Sequence, residues 1–215
     1  MKQKMIPVLY SFRRCPYAMR ARMALILASK ECELREIILK DKPDEMLKIS
    51  SKGTVPVLQF SNKVLDESLE IISWAMESPA PNVHIYKDAE ELLSLEFIRL
   101  FDSKFKYHLD RYKYSSRYGV DPKKHQDECK AILENLEDKI NAKPWIFGKE
   151  VSLLDISILP FIRQCKIANP DWFFAQNFVK VINLLNYFER SDLFAQAMQK
   201  YELWDPVKNN GNIFP

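Results

Sequence analysis

Ile6-Pro7-Val8-Leu9-Tyr10-Ser11-Phe12-Arg13-Arg14-Cys15-Pro16-Tyr17-Ala18 carries a strand, a sharp turn and the start of a helix within thirteen residues. Residues 6–12 form an almost unbroken apolar run, which predicts a buried strand. Pro16 suits the first helical position, so a helix is expected over 16–29 with Cys15 as its N-cap. Outward from there, 34–39 reads as a second strand and 43–49 as a short helix. A third strand follows at 55–60, then the turn Ser61-Asn62-Lys63, a short fourth strand Val64-Leu65, and a helix over 67–76. Strand, helix, strand, helix, strand, strand, helix implies a parallel start and a hairpin finish.

Beyond Ser78-Pro79-Ala80-Pro81-Asn82, a linker by its two prolines, nearly every segment has helical period. Helices are expected over 89–118, 122–141, 152–168, 171–190 and 193–201. The first of these carries Leu93, Phe97, Leu100 and Phe101 on one face. The tail over 205–215 is expected to lie against the surface. The expected organisation is therefore an α/β unit over 1–77, a linker over 78–88 and an all-α domain over 89–215.

Composition bounds the function. The chain has 215 residues, 47% apolar and 28% charged, enough for a proper core and unlike a disordered chain. No run approaches the roughly 18 apolar residues a membrane helix needs, and the run Met5 to Tyr10 is too short for a secretory signal; a cytoplasmic protein is the expectation. Net charge is 32 − 29 = +3, which neither demands nucleic acid nor excludes small anions. The four glycines make neither GxGxxG nor a P-loop. Cysteines at 15, 32, 129 and 165 make no CxxC, and histidines at 84, 108 and 125 make no HExxH, so no metal site is expected. The scattered thiols fit a reducing compartment.

Cys15 is the first chemical candidate. An N-cap sulfur faces unpaired backbone N–H groups and the positive end of the helix dipole. Arg13, Arg14 and Arg20 add positive charge, so the thiolate is favoured and the thiol is reactive. Ala18 stands where a dithiol oxidoreductase has its resolving cysteine. Any disulfide formed by Cys15 then awaits an outside thiol, which points to monothiol chemistry with a soluble partner. In Thr54-Val55-Pro56-Val57, a cis Pro56 would leave the Val55 backbone free to pair with an extended, peptide-like ligand. In Asp66-Glu67-Ser68, Ser68 at a helix start offers free N–H groups and a hydroxyl to a carboxylate, while Glu67 can meet an ammonium group. Cys32, Cys129 and Cys165 read as core thiols, and the three histidines have no evident partners. Lys123-Lys124 reads as a solvated face.

Those segments, in that order and spacing, resemble the glutathione transferase superfamily. Leu9 to Ala18, with Cys15-Pro16-Tyr17-Ala18 at its end, is most similar to the omega class, whose motif reads Cys-Pro-Phe-Ala. Leu39-Lys40-Asp41-Lys42-Pro43 is similar to another omega-class segment, and Val151-Ser152-Leu153-Leu154-Asp155-Ile156 to the family's capping box and hydrophobic staple. The resemblance implies a thioredoxin-like N-terminal domain, a helical C-terminal domain, and glutathione as co-substrate without a metal. It implies Cys15 as catalytic thiolate, with Val55 before a cis Pro56 pairing to the cysteinyl part of glutathione. Glu67 and Ser68 would hold the γ-glutamyl end, Lys42 the glycyl carboxylate, and Tyr17 would offer its backbone to the thiol. Tyr107, Tyr112, Tyr114 and Tyr118 lie on the helix that borders the second-substrate pocket in this family. The loop Ser50-Ser51-Lys52-Gly53 departs from the family's usual Asn-Pro-Gly. The implied activity is a thiol transferase or reductase acting on a small disulfide or electrophile, as a homodimer, with no nucleic acid or membrane. The alternatives are conjugation or dehalogenation, with Tyr10 or Ser11 as the hydroxyl, and a non-catalytic binding protein on the same fold.

Overall fold

Val8–Ser11 forms β1, the middle strand of a five-stranded sheet in the order β4-β3-β1-β2-β5. The computed structural model describes residues 6–78, 80–141 and 143–215. Met1–Met5, including the start of the first apolar run, and Pro79 of the linker lie outside the described residues. Helix α1, Pro16–Leu27, carries the chain over to β2, Cys32–Glu36, which pairs parallel to β1 with Leu9 opposite Leu34. A parallel neighbour needs such a crossover, and α1 is accordingly buried from Ala18 to Leu25. After α2, Asp44–Ile49, β3 (Val57–Gln59) runs antiparallel to β1 and turns into β4, Val64–Leu65. Helix α3, Ser68–Ala75, packs on α1. The parallel start and hairpin finish read from the sequence are both present.

The tail differs from expectation. The chain divides into two units, and Asp192–Pro215 belongs with the described residues up to Pro81, not with the helices of Asn82–Ser191. Asn212–Phe214 is β5, antiparallel to β2, and α11, Asp192–Ala197, packs on α1. Phe214 is buried, so the strand gains an apolar anchor along with its ladder. The boundary at 89–215 is therefore corrected: the last 24 residues complete the sheet unit.

In the second unit, the helix expected over 89–118 is interrupted. Helix α4, Asp88–Leu100, passes through a π-helical turn at Phe101–Phe105 into α5, Lys106–Lys113, and α6, Ser115–Tyr118. Phe97, Phe101, Phe105 and Leu109 are all buried. At a constant spacing of four they would drift about 120° around a straight α-helix, and the wider π turn brings them back into line. The helix expected over 171–190 is likewise two, α9 (Pro170–Phe174) and α10 (Val179–Arg190) after α7 (Pro122–Lys139) and α8 (Leu153–Ala168). The break lets Phe173 and Phe178 pack edge-on, both buried, with ring centres 5.2 Å apart.

Ser152 caps α8. Its hydroxyl accepts from the Asp155 N–H at 3.1 Å, while Asp155 Oδ2 accepts from the Ser152 N–H at 2.8 Å and Oδ1 from the Ile146 N–H at 3.2 Å. Burial pushes the Asp155 carboxyl up from 3.8 to about 6, against those hydrogen bonds, which lower it. An acid that holds its proton more tightly when folded loses stability as pH rises through that window. Asp155→Asn removes the titration. Its urea midpoint is therefore expected to decline less between pH 4 and 6 than that of the parent chain, and equal slopes would contradict the assignment.

Candidate active site

The turn between β1 and α1 is tied down by a buried ion pair. Glu36, at the end of β2, accepts from the Arg13 backbone N–H at 2.7 Å and pairs with Arg22 of α1. Arg22 also donates to the Ser11 hydroxyl at 2.9 Å and to the Ala197 carbonyl at 3.1 Å. The Arg13 guanidinium donates to the Met198 carbonyl at 3.2 Å. Arg13 is thereby held from β2 and the C-terminal segment, and Ser11 before it from α1.

Cys15 follows with the extended backbone of an N-cap, its carbonyl accepting from the Met19 N–H at 2.9 Å. It is half-buried, and its thiol points to the Val55 carbonyl, 3.7 Å away. The Val55-Pro56 bond is cis. Cys15 packs beside a buried cluster that includes Tyr10, Ala18, Ile37, Val55 and Trp204. Ala18 is fully buried, so α1 brings no second thiol to this place. The remaining thiols lie in the core: burial pushes Cys32 up to about 12. Cys129 is raised by its hydrogen bond to Cys165 and then by burial.

Ser68 and Glu67 stand at the start of α3, Glu67 as N-cap and Ser68 as first helical residue. The Ser68 hydroxyl accepts from Arg20 at 3.4 Å, and the Arg20 guanidinium lies 5.4 Å from the centre of the Tyr17 ring. Arg20 is buried, so the charge expected beside Cys15 is instead directed along α1 toward α3. Glu67 is not left open: Lys52 donates to it at 2.7 Å and to Asp66 at 2.9 Å, and Ser50 donates to Asp66 at 2.8 Å. The Glu67 and Asp66 bonds raise Lys52, and Lys52 with Ser50 lowers Asp66. An incoming ammonium group would share Glu67 with Lys52, which is feasible because the pair is largely exposed and correspondingly weak.

Lys42 reaches the turn just before Thr54-Val55. A Cβ placed on Gly53 would lie 3.7 Å from its Nζ and 3.3 Å from Leu47 Cδ2. Gly53 has φ +57°, the left-handed region that costs other residues roughly 1–2 kcal/mol. Gly53→Ala is expected to lower unfolding free energy by about that amount, and Gly53→Asn by less, since Asn tolerates αL. Equal costs in urea titrations would rule this out.

Cys15, Val55, Pro56, Ser68, Glu67, Tyr17 and Lys42 thus all belong to the sheet unit, at the starts of α1 and α3, the loop before α2 and the turn before β3. Residues 9–82 match the family model for the glutathione S-transferase N-terminal domain. That stretch is similar to the N-terminal domain of glutathione S-transferases. The chain is 27% identical over 160 residues to probable glutathione S-transferase parA of Nicotiana tabacum, covering 72% of this chain and 70% of that protein. It is also 27% identical over 189 residues to glutaredoxin 2 of Escherichia coli strain K12, covering 76% of this chain and 87% of that protein. Glutathione transferase Omega 1C from Trametes versicolor has the same fold, with TM-score 0.77 at 19% identity over 91% of this chain and 92% of that one. The fold is a thioredoxin-like sheet unit followed by a helical one, as the sequence led us to expect.

Sequence reasoning missed Lys52, Arg20 as a partner of Ser68, and Trp204. Trp204 meets Tyr10 edge-on at 5.9 Å, and Arg35 lies 4.2 Å above it. Its backbone N–H donates to the Glu36 carbonyl at 2.8 Å. The histidines also have partners: His84 lies 3.0 Å from Glu90, and His108 Nδ1 lies 2.8 Å from His125 Nδ1. Of the tyrosines considered for a second substrate, Tyr107 and Tyr118 flank Arg111, at 3.5 and 4.7 Å from their ring centres, and Tyr112 accepts from Gln126 at 2.6 Å. Among the described residues, no three or more His, Cys, Asp or Glu side chains gather as a metal site, and no helix is long and apolar enough to cross a membrane.

Proposed function

We propose that this protein is a glutathione-dependent thiol transferase working through Cys15. The observation that carries the reading is a single half-buried thiol at the N-cap of α1, 3.7 Å from the carbonyl before a cis proline, with Ala18 behind it. In the first step the Cys15 thiolate attacks the glutathionyl sulfur of a mixed disulfide RS–SG. The Cys15–SG bond forms, the RS–SG bond breaks, and RS⁻ leaves with the electron pair. In the second step a glutathione thiolate attacks the glutathionyl sulfur on Cys15, giving oxidised glutathione and regenerating the Cys15 thiolate. The N-terminus of α1 stabilises the thiolate both as attacker and as leaving group, so one residue serves both halves. Glutathione is co-substrate. Val55 would pair with its cysteinyl part, Glu67 and Ser68 would hold the γ-glutamyl end, Lys42 the glycyl carboxylate, and the Tyr17 backbone would face the thiol. The names of the similar proteins, transferases and a glutaredoxin, agree with that co-substrate.

Conjugation by a neighbouring hydroxyl is the weaker reading. The Tyr10 hydroxyl is held by Arg35 at 2.8 Å in a buried position, and the Ser11 hydroxyl by Arg22 at 2.9 Å. Neither is presented to a ligand at the Cys15 turn. The test is exposure of the native protein to oxidised glutathione followed by intact and peptide mass measurement. One glutathionyl adduct, on the peptide containing Cys15 and reversed by glutathione, is expected. No adduct, or one on Cys32, Cys129 or Cys165, overturns the mechanism.

A further inference from the structure

A cleft of about 540 Å³ opens beside the Cys15 turn, built from the turn itself, the end of β2 with the residues after it, and the C-terminal segment before β5. All of it lies within the sheet unit. Its floor is apolar: Phe12, Ile38, Leu39 and Leu203, of which Ile38, Leu39 and Leu203 are between 41% and 50% exposed. Its rim is cationic, with Arg14, Lys40 and Lys200 all exposed. The one acid in the lining, Glu36, is buried and committed to Arg22 and the Arg13 N–H. Phe12 belongs to both places: it lines the cleft, packs against the cluster beside Cys15, and its carbonyl accepts the Cys15 N–H at 2.9 Å.

Exposed apolar side chains ringed by one sign of charge suit a ligand with an apolar body and the opposite charge. We propose that this cleft holds the departing half of the disulfide and selects amphipathic anions, thiols with an apolar or aromatic body and a carboxylate or sulfonate. The inference rests on the Cys15 reading, since it names the R group of the RS–SG substrate. The chemistry of the exchange is otherwise the two balanced steps above.

The test compares mixed disulfides of glutathione with 5-thio-2-nitrobenzoate and with 4-nitrothiophenol, which differ by one carboxylate. Each kcat/KM is divided by the rate constant for the uncatalysed reaction with glutathione. The ratio of anionic to neutral substrate is expected to be about fivefold or more, the worth of one close charge contact at the surface. It should fall with added salt and drop below one in a Lys40→Glu, Lys200→Glu double variant. A ratio of one in the native chain, or a ratio the double variant leaves unchanged, overturns the proposal. Fluorescence of 8-anilinonaphthalene-1-sulfonate provides a reading without turnover. If neither disulfide is turned over, yet the double variant binds this sulfonate at least about fivefold more weakly, the cleft assignment stands and the thiol-transfer reading falls. If both disulfides are turned over equally and the sulfonate binds both proteins alike, the cleft assignment falls and Cys15 keeps its role.

Discussion

Cys15→Ser lowers glutathione-dependent reduction of a small mixed disulfide by on the order of 10³-fold or more, as loss of a covalent nucleophile does. The substitution changes one atom, so α1 and its cap remain and the comparison isolates the sulfur. A serine hydroxyl at neutral pH is neither anion nor soft nucleophile, and it cannot form the mixed disulfide on which the second half-reaction depends. No other thiol can take over. Burial pushes the Cys32 thiol up to about 12, and Cys129 and Cys165 are buried against each other in the helical unit. Steady-state rates with purified native and Cys15→Ser proteins decide the matter. A variant retaining more than a tenth of native turnover would place the chemistry elsewhere.

Arg22→Met is the substitution expected to cost most stability, about 3–5 kcal/mol by urea denaturation. Arg22 is fully buried, and burial pulls its pKa down while Glu36 raises it. Methionine fills similar space but leaves the Glu36 carboxylate buried without its cation and the Ser11 hydroxyl and Ala197 carbonyl without their donor. A leftover buried charge is the dominant penalty, so Arg22→Met, Glu36→Gln should lose less than Arg22→Met alone. If the double variant is the less stable of the two, charge burial is not the cause. The loss also reaches the site, because the same network holds Arg13 and the turn that ends at Cys15.

What could be read in advance follows from how local each signal is. The strand, turn and helix around Cys15 are legible because Pro16 and an apolar run fix them within thirteen residues. The hairpin of β3 and β4 is legible for the same reason, as is the Ser152–Asp155 cap. Strand β5 was not, since Asn212-Ile213-Phe214 is too short to show a period and its partner Leu34 lies far away in sequence. The π turn left only a faint trace, in the four-residue spacing that runs on from Phe97 through Phe101 and Phe105 to Leu109 and drifts about 120° around a continuous helix. In the site, Cys15, Val55, Pro56 and Ser68 fall where their local context places them. Lys52 escaped because its partners Asp66 and Glu67 lie across the β3–β4 hairpin, and only the folded hairpin brings them together.

The sheet unit is split in sequence, with the whole helical unit inserted between α3 and α11. A ribosome therefore delivers Cys15 early and part of its support only after the whole helical unit. The carbonyls of Ala197 and Met198 that bind Arg22 and Arg13, the Leu203 bridge to Glu36, and β5 all emerge after the helical unit. Until then the sheet edge at β2 stays open while the helical unit is already complete. The thiol-bearing turn thus depends on residues that follow the helical unit in sequence, and a gene fragment ending at Pro81 would lack every one of those contacts.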